Sequence, residues 1–134
     1  MLFLLITLSL SCKNSDTPKV ISNNISAGMA HNLILQQENN ENFIILDVRT
    51  EAEYNAGHIK GAKNIDYTNN NVGLLELDKS KTYLIYCASG RRSKLAANEM
   101  LNSGFKSLFN MSGGINEWRQ MFNSLTPSPY NESI

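Results

Sequence analysis

Two short, unbroken apolar runs, NFIILDV at 42–48 and TYLIYC at 82–87, constrain this chain more than anything else in it. A strand with one wet face alternates apolar and polar side chains, whereas these runs do not. They suit strands buried on both faces of a parallel sheet that helices cover. Each run also ends in polar or reactive residues. In open parallel α/β sheets ligands bind beyond the carboxyl ends of the strands, so the stretches Asp47 to Arg49 and Cys87 to Arg92 fall at the rim where chemistry would sit.

The segments between the runs read as helices. Ser26 caps AGMAHNLILQQ, in which Met29, Ala30, Leu33 and Ile34 recur at helical spacing. TEAEYNAG, NVGLLELD, SKLAANEMLNSG and INEWRQMF are the further helical candidates, and KSLFNM is a third short strand. Ala96, Ala97, Met100 and Leu101 make an apolar stripe on the fourth of these helices, and Gly104 stands where a left-handed residue often ends one. The asparagine patches at Asn39, Asn40, Asn42 and at Asn69, Asn70, Asn71 read as loops. Strand and helix thus alternate, and with 134 residues of which 42% are hydrophobic the expectation is one α/β domain. Twelve basic residues balance twelve acidic ones, and no basic stripe appears, which argues against a nucleic-acid partner.

The ends differ from the middle. MLFLLITLSLS is an apolar run too short for an ordinary membrane-spanning helix and ends in small polar residues, a signal-peptide pattern over residues 1–11. LSLSC followed by KNSDTPK resembles the cleavage site of bacterial lipoproteins, in which the cysteine, here Cys12, becomes the lipid-bearing first residue of the mature chain. Two features depart from that pattern. No Lys or Arg precedes the apolar run, and Ser9 stands three places before the cysteine, where an aliphatic residue is commoner. Lipidation of Cys12 is the expectation, and an ordinary cleaved secretory signal or a mere apolar leader the alternative. That would make the chain an exported lipoprotein facing the periplasm or cell surface, touching membrane only through its lipid. Residues 12–19 then form a polar tether, 20–123 the domain, and 124–134, which hold two of the three prolines, an irregular tail. Only Cys12 and Cys87 are cysteines, so a lipidated Cys12 leaves Cys87 a lone thiol.

YCASGRRSKLAANEML places that thiol at the end of a buried strand, before a short loop with Gly90, two arginines and a helix. A tight loop entering a helix leaves backbone N–H groups free to converge on one point, and the helix start adds partial positive charge there. A cysteine at that point is favoured as the thiolate, with Arg91 and Arg92 adding to the effect. Gly90 is the residue best able to let the loop curl around a sulfur.

CASGRRS resembles the active-site loop of rhodanese domains, in which a cysteine, four intervening residues and an arginine precede a helix. ILDVRTEAEYNAGHIKGAKNID is similar to that family's D-V-R, E-Y and G-H-I-x-G-A-x-N-I stretch, and MSGGINEW resembles its closing GG-x-x-x-W element. The resemblance spans about Val20 to Phe122. It implies a rhodanese-like α/β fold, a parallel five-stranded sheet with helices on both faces, and a ping-pong sulfurtransferase without cofactor. In that scheme the Cys87 thiolate takes the outer sulfur of an anionic donor such as thiosulfate, and an external thiol or cyanide removes it from the persulfide. Backbone donors of Ala88, Ser89, Gly90, Arg91 and Arg92 would stabilise the persulfide, and the two arginines would hold the donor.

Other residues have plainer readings. Asp47 and Arg49 either support the loop or form an ion pair bracing the sheet rim. His58 is read as structural, since a preformed thiolate needs no base, and His31 as a helix-surface or core-edge residue. Trp118 with Phe122 reads as core. Glu51 and Glu53 suit the dipole of a first helical turn rather than acid–base work. No histidine and cysteine cluster has metal-ligand spacing. A phosphatase or arsenate reductase would need its arginine six places after the cysteine, where this chain has Ser93. A binding module without turnover is the remaining alternative, and the presence of Cys87 counts against it.

Overall fold

A computed structural model describes residues 23–69, 71–123 and 130–131. In chain order the elements are β1 (Asn23–Ile25), α1 (Ala27–Gln36), β2 (Phe43–Asp47), α2 (Glu51–Asn55), β3 (His58–Ile59), β4 (Lys63–Asn64), α3 (Asn71–Leu75), β5 (Thr82–Tyr86), α4 (Arg91–Asn102), β6 (Ser107–Met111), α5 (Gly114–Phe122) and β7 (Tyr130–Asn131).

The two apolar runs are β2 and β5, and they pair in parallel at the centre of a five-stranded sheet of order β1-β6-β5-β2-β4. Every pairing in that sheet is parallel. Alternate side chains of β5 enter different cores. Leu84 and Tyr86 pack with α1 and α5 through Ala27, Ala30, Ile115, Trp118 and Phe122, while Tyr83, Ile85 and Cys87 pack with α3 and α4 through Leu74, Ala96, Ala97 and Met100. Both faces are therefore buried, which is why neither run alternates. Each fully buried Leu or Ile stabilises the fold by roughly 1.5–3 kcal/mol.

From β2 the chain crosses to β4 on one side, and from β5 to β6 on the other. The carboxyl ends of β2 and β5 thus meet at the point where strand order reverses, the crevice that such sheets use for ligands.

Three differences from the sequence reading have local causes. Helix α4 begins at Arg91 rather than Ser93, because Gly90 takes φ +90° as its N-cap and accepts the Lys94 N–H at 3.1 Å, closing the first turn around both arginines. The edge strands β1 and β4 are three and two residues long, NNI and KN, and carry no apolar run of their own. In the tail read as irregular, Tyr130–Asn131 pairs antiparallel with His58–Ile59. The leader, Cys12 and the whole of the tether lie outside the described residues.

Candidate active site

Cys87 directly follows the central strand β5, with its side chain in the α3–α4 core and only 1% of its surface exposed. Its Sγ accepts a hydrogen bond from the Gly90 N–H at 3.1 Å and from the Ser93 hydroxyl at 3.4 Å. Burial alone pushes this thiol up. The Ser93 hydroxyl and the backbone N–H groups of Ser93, Ser89 and Gly90 together outweigh burial and hold Cys87 below the ordinary thiol range. The sulfur sits where a negative charge is expected and solvated by fixed donors.

Two glycines let the loop close this tightly. A Cβ on Gly90 would lie 2.0 Å from the Ser112 carbonyl oxygen, and one on Gly114, at φ +59°, would lie 2.3 Å from that of Ala88. Behind the loop, the N–H groups of Ile115 and Asn116 donate to the carbonyls of Cys87 and Ala88 at 2.9 and 3.1 Å. The GG element thus locks the base of the loop to the start of α5. Ala88 consequently braces the loop through its carbonyl, while Ser89 and Gly90 turn their N–H groups to the sulfur.

The two arginines part company. Arg91 is exposed, whereas Arg92 is half-buried and pairs bidentately with Glu53, Nη1 to Oε2 at 2.7 Å and Nη2 to Oε1 at 2.8 Å. Arg92 also lies close enough to Cys87 for the thiolate to favour its charge. Glu53 itself is held at the start of α2 by a capping box, its N–H donating to Thr50 Oγ1 at 3.2 Å and its Oε2 accepting the Thr50 N–H at 3.0 Å. Pairing with Arg92 brings its carboxyl down to about 2.

Asp47 and Arg49 lie beneath this arrangement as a buried ion pair, Nη2 to Oδ2 at 2.7 Å. Arg49 Nη2 also donates to the Gly57 carbonyl at 2.7 Å, tying down the far end of the α2 segment. His58 stacks on Tyr54 with ring centroids 3.7 Å apart, and His31 packs against Trp118 and Phe122, both buried in the core. Among the described residues no group of three or more His, Cys, Asp or Glu could hold a metal. A groove of about 700 Å³ opens between Ile34, Leu35, Phe43 and Lys60, toward the amino end of β2 and away from Cys87.

Sequence reasoning assigns Ser93 no role and marks Glu53 only as an acidic residue suited to the dipole of a first helical turn. Helical side chains lean toward the N-terminus, so a hydroxyl in the first turn of α4 faces back over the loop, a signal available in principle. The Thr50-x-x-Glu53 spacing announces the capping box, but nothing local announces the partner at Arg92.

A parallel α/β domain with a donor-lined cysteine loop at the switch point of its sheet defines a class, and the comparisons place the chain within it. A family model described as the rhodanese-like domain matches residues 30–121, and the chain belongs to this family. It is 37% identical over 81 residues to the candidate sulfur carrier protein YrkF of Bacillus subtilis (strain 168), covering 60% of this chain and 44% of that one. It is 29% identical over 79 residues to the thiosulfate sulfurtransferase GlpE of Pseudomonas fluorescens (strain SBW25), covering 59% of this chain and 72% of that one. The crystal structure of a rhodanese-like domain protein from Staphylococcus aureus superposes with a TM-score of 0.61 at 29% identity, over 72% of this chain and 90% of that one. The chain therefore spans less than half the length of the Bacillus relative.

Proposed function

We propose that this chain is a sulfurtransferase that carries a sulfane sulfur on Cys87. The thiolate attacks the outer sulfur of a donor such as thiosulfate, a new S–S bond forms, the donor's S–S bond breaks, and sulfite leaves with the electron pair. An external thiolate or cyanide then attacks the terminal persulfide sulfur and regenerates the Cys87 thiolate. The observation that carries this reading is the convergence of the Ser93 hydroxyl and three backbone N–H groups on Cys87 Sγ. These donors stabilise a persulfide anion as they do the thiolate. The likeness to GlpE, named a thiosulfate sulfurtransferase, supports the donor class.

Incubation with thiosulfate is expected to add the mass of one sulfur, mapped to Cys87 by peptide mass spectrometry. No gain in mass would sink the reading. The loading rate should be sustained below the ordinary thiol range and fall only as pH drops through the depressed Cys87 value, since protonation there removes the nucleophile.

A carrier that hands its sulfur to a dedicated protein is a second form of the same chemistry, supported by the likeness to YrkF. Export with a lipid on Cys12 belongs to the proposal too. Labelling of the full chain with a fatty acid in a bacterial host is expected to require Cys12, and an exported but unlabelled chain would leave only a secretory signal.

A further inference from the structure

Arg92 bears directly on the reactive sulfur, and one edge of its guanidinium is already taken. Both of its terminal nitrogens bind the Glu53 carboxylate, at 2.7 and 2.8 Å. Glu53 is not there by accident of a flexible side chain, because the capping box at Thr50 holds its carboxylate from the other side through Oε2. The pair joins residues 39 positions apart, from the helix after β2 to the helix after β5. Its two charges offset one another, so a donor approaching Cys87 meets little net charge from Arg92. Sulfane-sulfur donors differ in this respect. Thiosulfate carries two negative charges, while thiosulfonates and the persulfides of simple thiols carry one.

We propose that Glu53, by its bidentate pairing with Arg92 at the mouth of the Cys87 loop, sets the donor preference of the site toward singly charged sulfane-sulfur compounds and away from thiosulfate. The inference rests on the sulfurtransferase reading and names the donor class within it. Glu53 acts through Arg92 and is a positioning residue. Thiosulfate still loads Cys87, at a higher concentration. With a thiosulfonate the step is the same displacement: the thiolate bonds to the outer sulfur, the donor's S–S bond breaks, and a sulfinate leaves with the electron pair.

The test compares thiosulfate with methanethiosulfonate, which replaces one anionic oxygen by a methyl group, in the full chain and in Glu53→Gln. The amide keeps the acceptor that the capping box needs and removes the charge. Intrinsic reactivities of the two donors cancel when the ratio of their kcat/KM values is compared between the two chains. Exposing Arg92's charge to one extra negative charge a few ångströms away corresponds to roughly a tenfold effect. The ratio of methanethiosulfonate to thiosulfate is therefore expected to fall about tenfold in Glu53→Gln, chiefly through a lower KM for thiosulfate. The acid limb of the loading rate should move to lower pH, because the charge of Arg92, which bears on the thiolate, is no longer offset by a carboxylate. Thr50→Ala, which weakens the cap but keeps the carboxylate, is expected to leave the ratio within about twofold.

An unchanged ratio, an acid limb displaced to higher pH, or an equal change in Thr50→Ala would each overturn the proposal. If neither donor adds sulfur to the unmodified chain, the sulfurtransferase reading itself fails. If both load it and the ratio does not respond to Glu53→Gln, only the inference about Glu53 falls.

Discussion

Gly90→Ala is expected to lose sulfur loading nearly as completely as Cys87→Ser, although it leaves the nucleophile in place. In Cys87→Ser the loss is chemical, since a hydroxyl has no thiolate to offer and forms no persulfide. In Gly90→Ala it is geometric. The new methyl group would sit 2.0 Å from the Ser112 carbonyl oxygen and 2.7 Å from its carbonyl carbon. Ser112 cannot easily give way, because its N–H donates to the Ile25 carbonyl at 2.9 Å and ties it to β1. Gly90 must move instead, away from φ +90°, a left-handed conformation that costs a side-chain-bearing residue roughly 1–2 kcal/mol in any case. As it moves it withdraws its N–H from Cys87 Sγ and its carbonyl from the Lys94 N–H that closes the first turn of α4. Loss of one preorganised donor to a developing anion typically slows a reaction by about 10²–10³. A mass-resolved time course with thiosulfate should show a fall of at least about a hundredfold, while circular dichroism still reports a folded domain. Loading within tenfold of the unmodified chain would mean that the loop does not depend on this conformation.

The legible parts of this molecule were those whose cause is local. Phe43–Asp47 and Thr82–Tyr86 announce themselves because both faces of each strand are buried, so every position must be apolar or end the run. Ser26 and Gly104 mark helix ends through chemistry that acts within one turn, and the Ser26 Oγ does accept the Met29 N–H. Other features have no local cause. Lys63–Asn64 is a strand only because Leu46 and Asp47 present an edge to it, and the Asn64 amide then anchors it to the carbonyls of Asp47 and Arg49. The early start of α4 depends on a backbone angle at Gly90 that no side chain records. Cys87 was visible as a strand-end thiol, but its Glu53–Arg92 neighbour is a contact across the strand crossing, set by which strands lie side by side. The site's nucleophile was thus readable from its own segment, and its electrostatic setting was not.

Asp47→Asn should be the most damaging of the conservative changes to stability. Asp47 is fully buried and Arg49 is 2% exposed. The carboxylate accepts from Arg49 Nε at 3.0 and 3.1 Å, from Nη2 at 2.7 Å and from the Arg49 backbone N–H at 2.9 Å. Burial pushes the Arg49 guanidinium down, and the hydrogen bonds and charge of Asp47 more than restore it. Without that charge the guanidinium has no escape, because an arginine does not shed its proton as a buried lysine can. An uncompensated charge left in such a place costs about 3–5 kcal/mol. For a domain of roughly 100 residues that lowers Tm by on the order of 15–20 °C. The chemistry should suffer less than the fold. Asp47 acts on the sulfur only at a distance, through Arg49, the Gly57 carbonyl and the α2 segment that carries Glu53. Well below its Tm, Asp47→Asn is therefore expected to load sulfur within about threefold of the unmodified rate. A chain that keeps its Tm but loses loading would reverse the assignment, making the pair part of the reacting site rather than the brace beneath it.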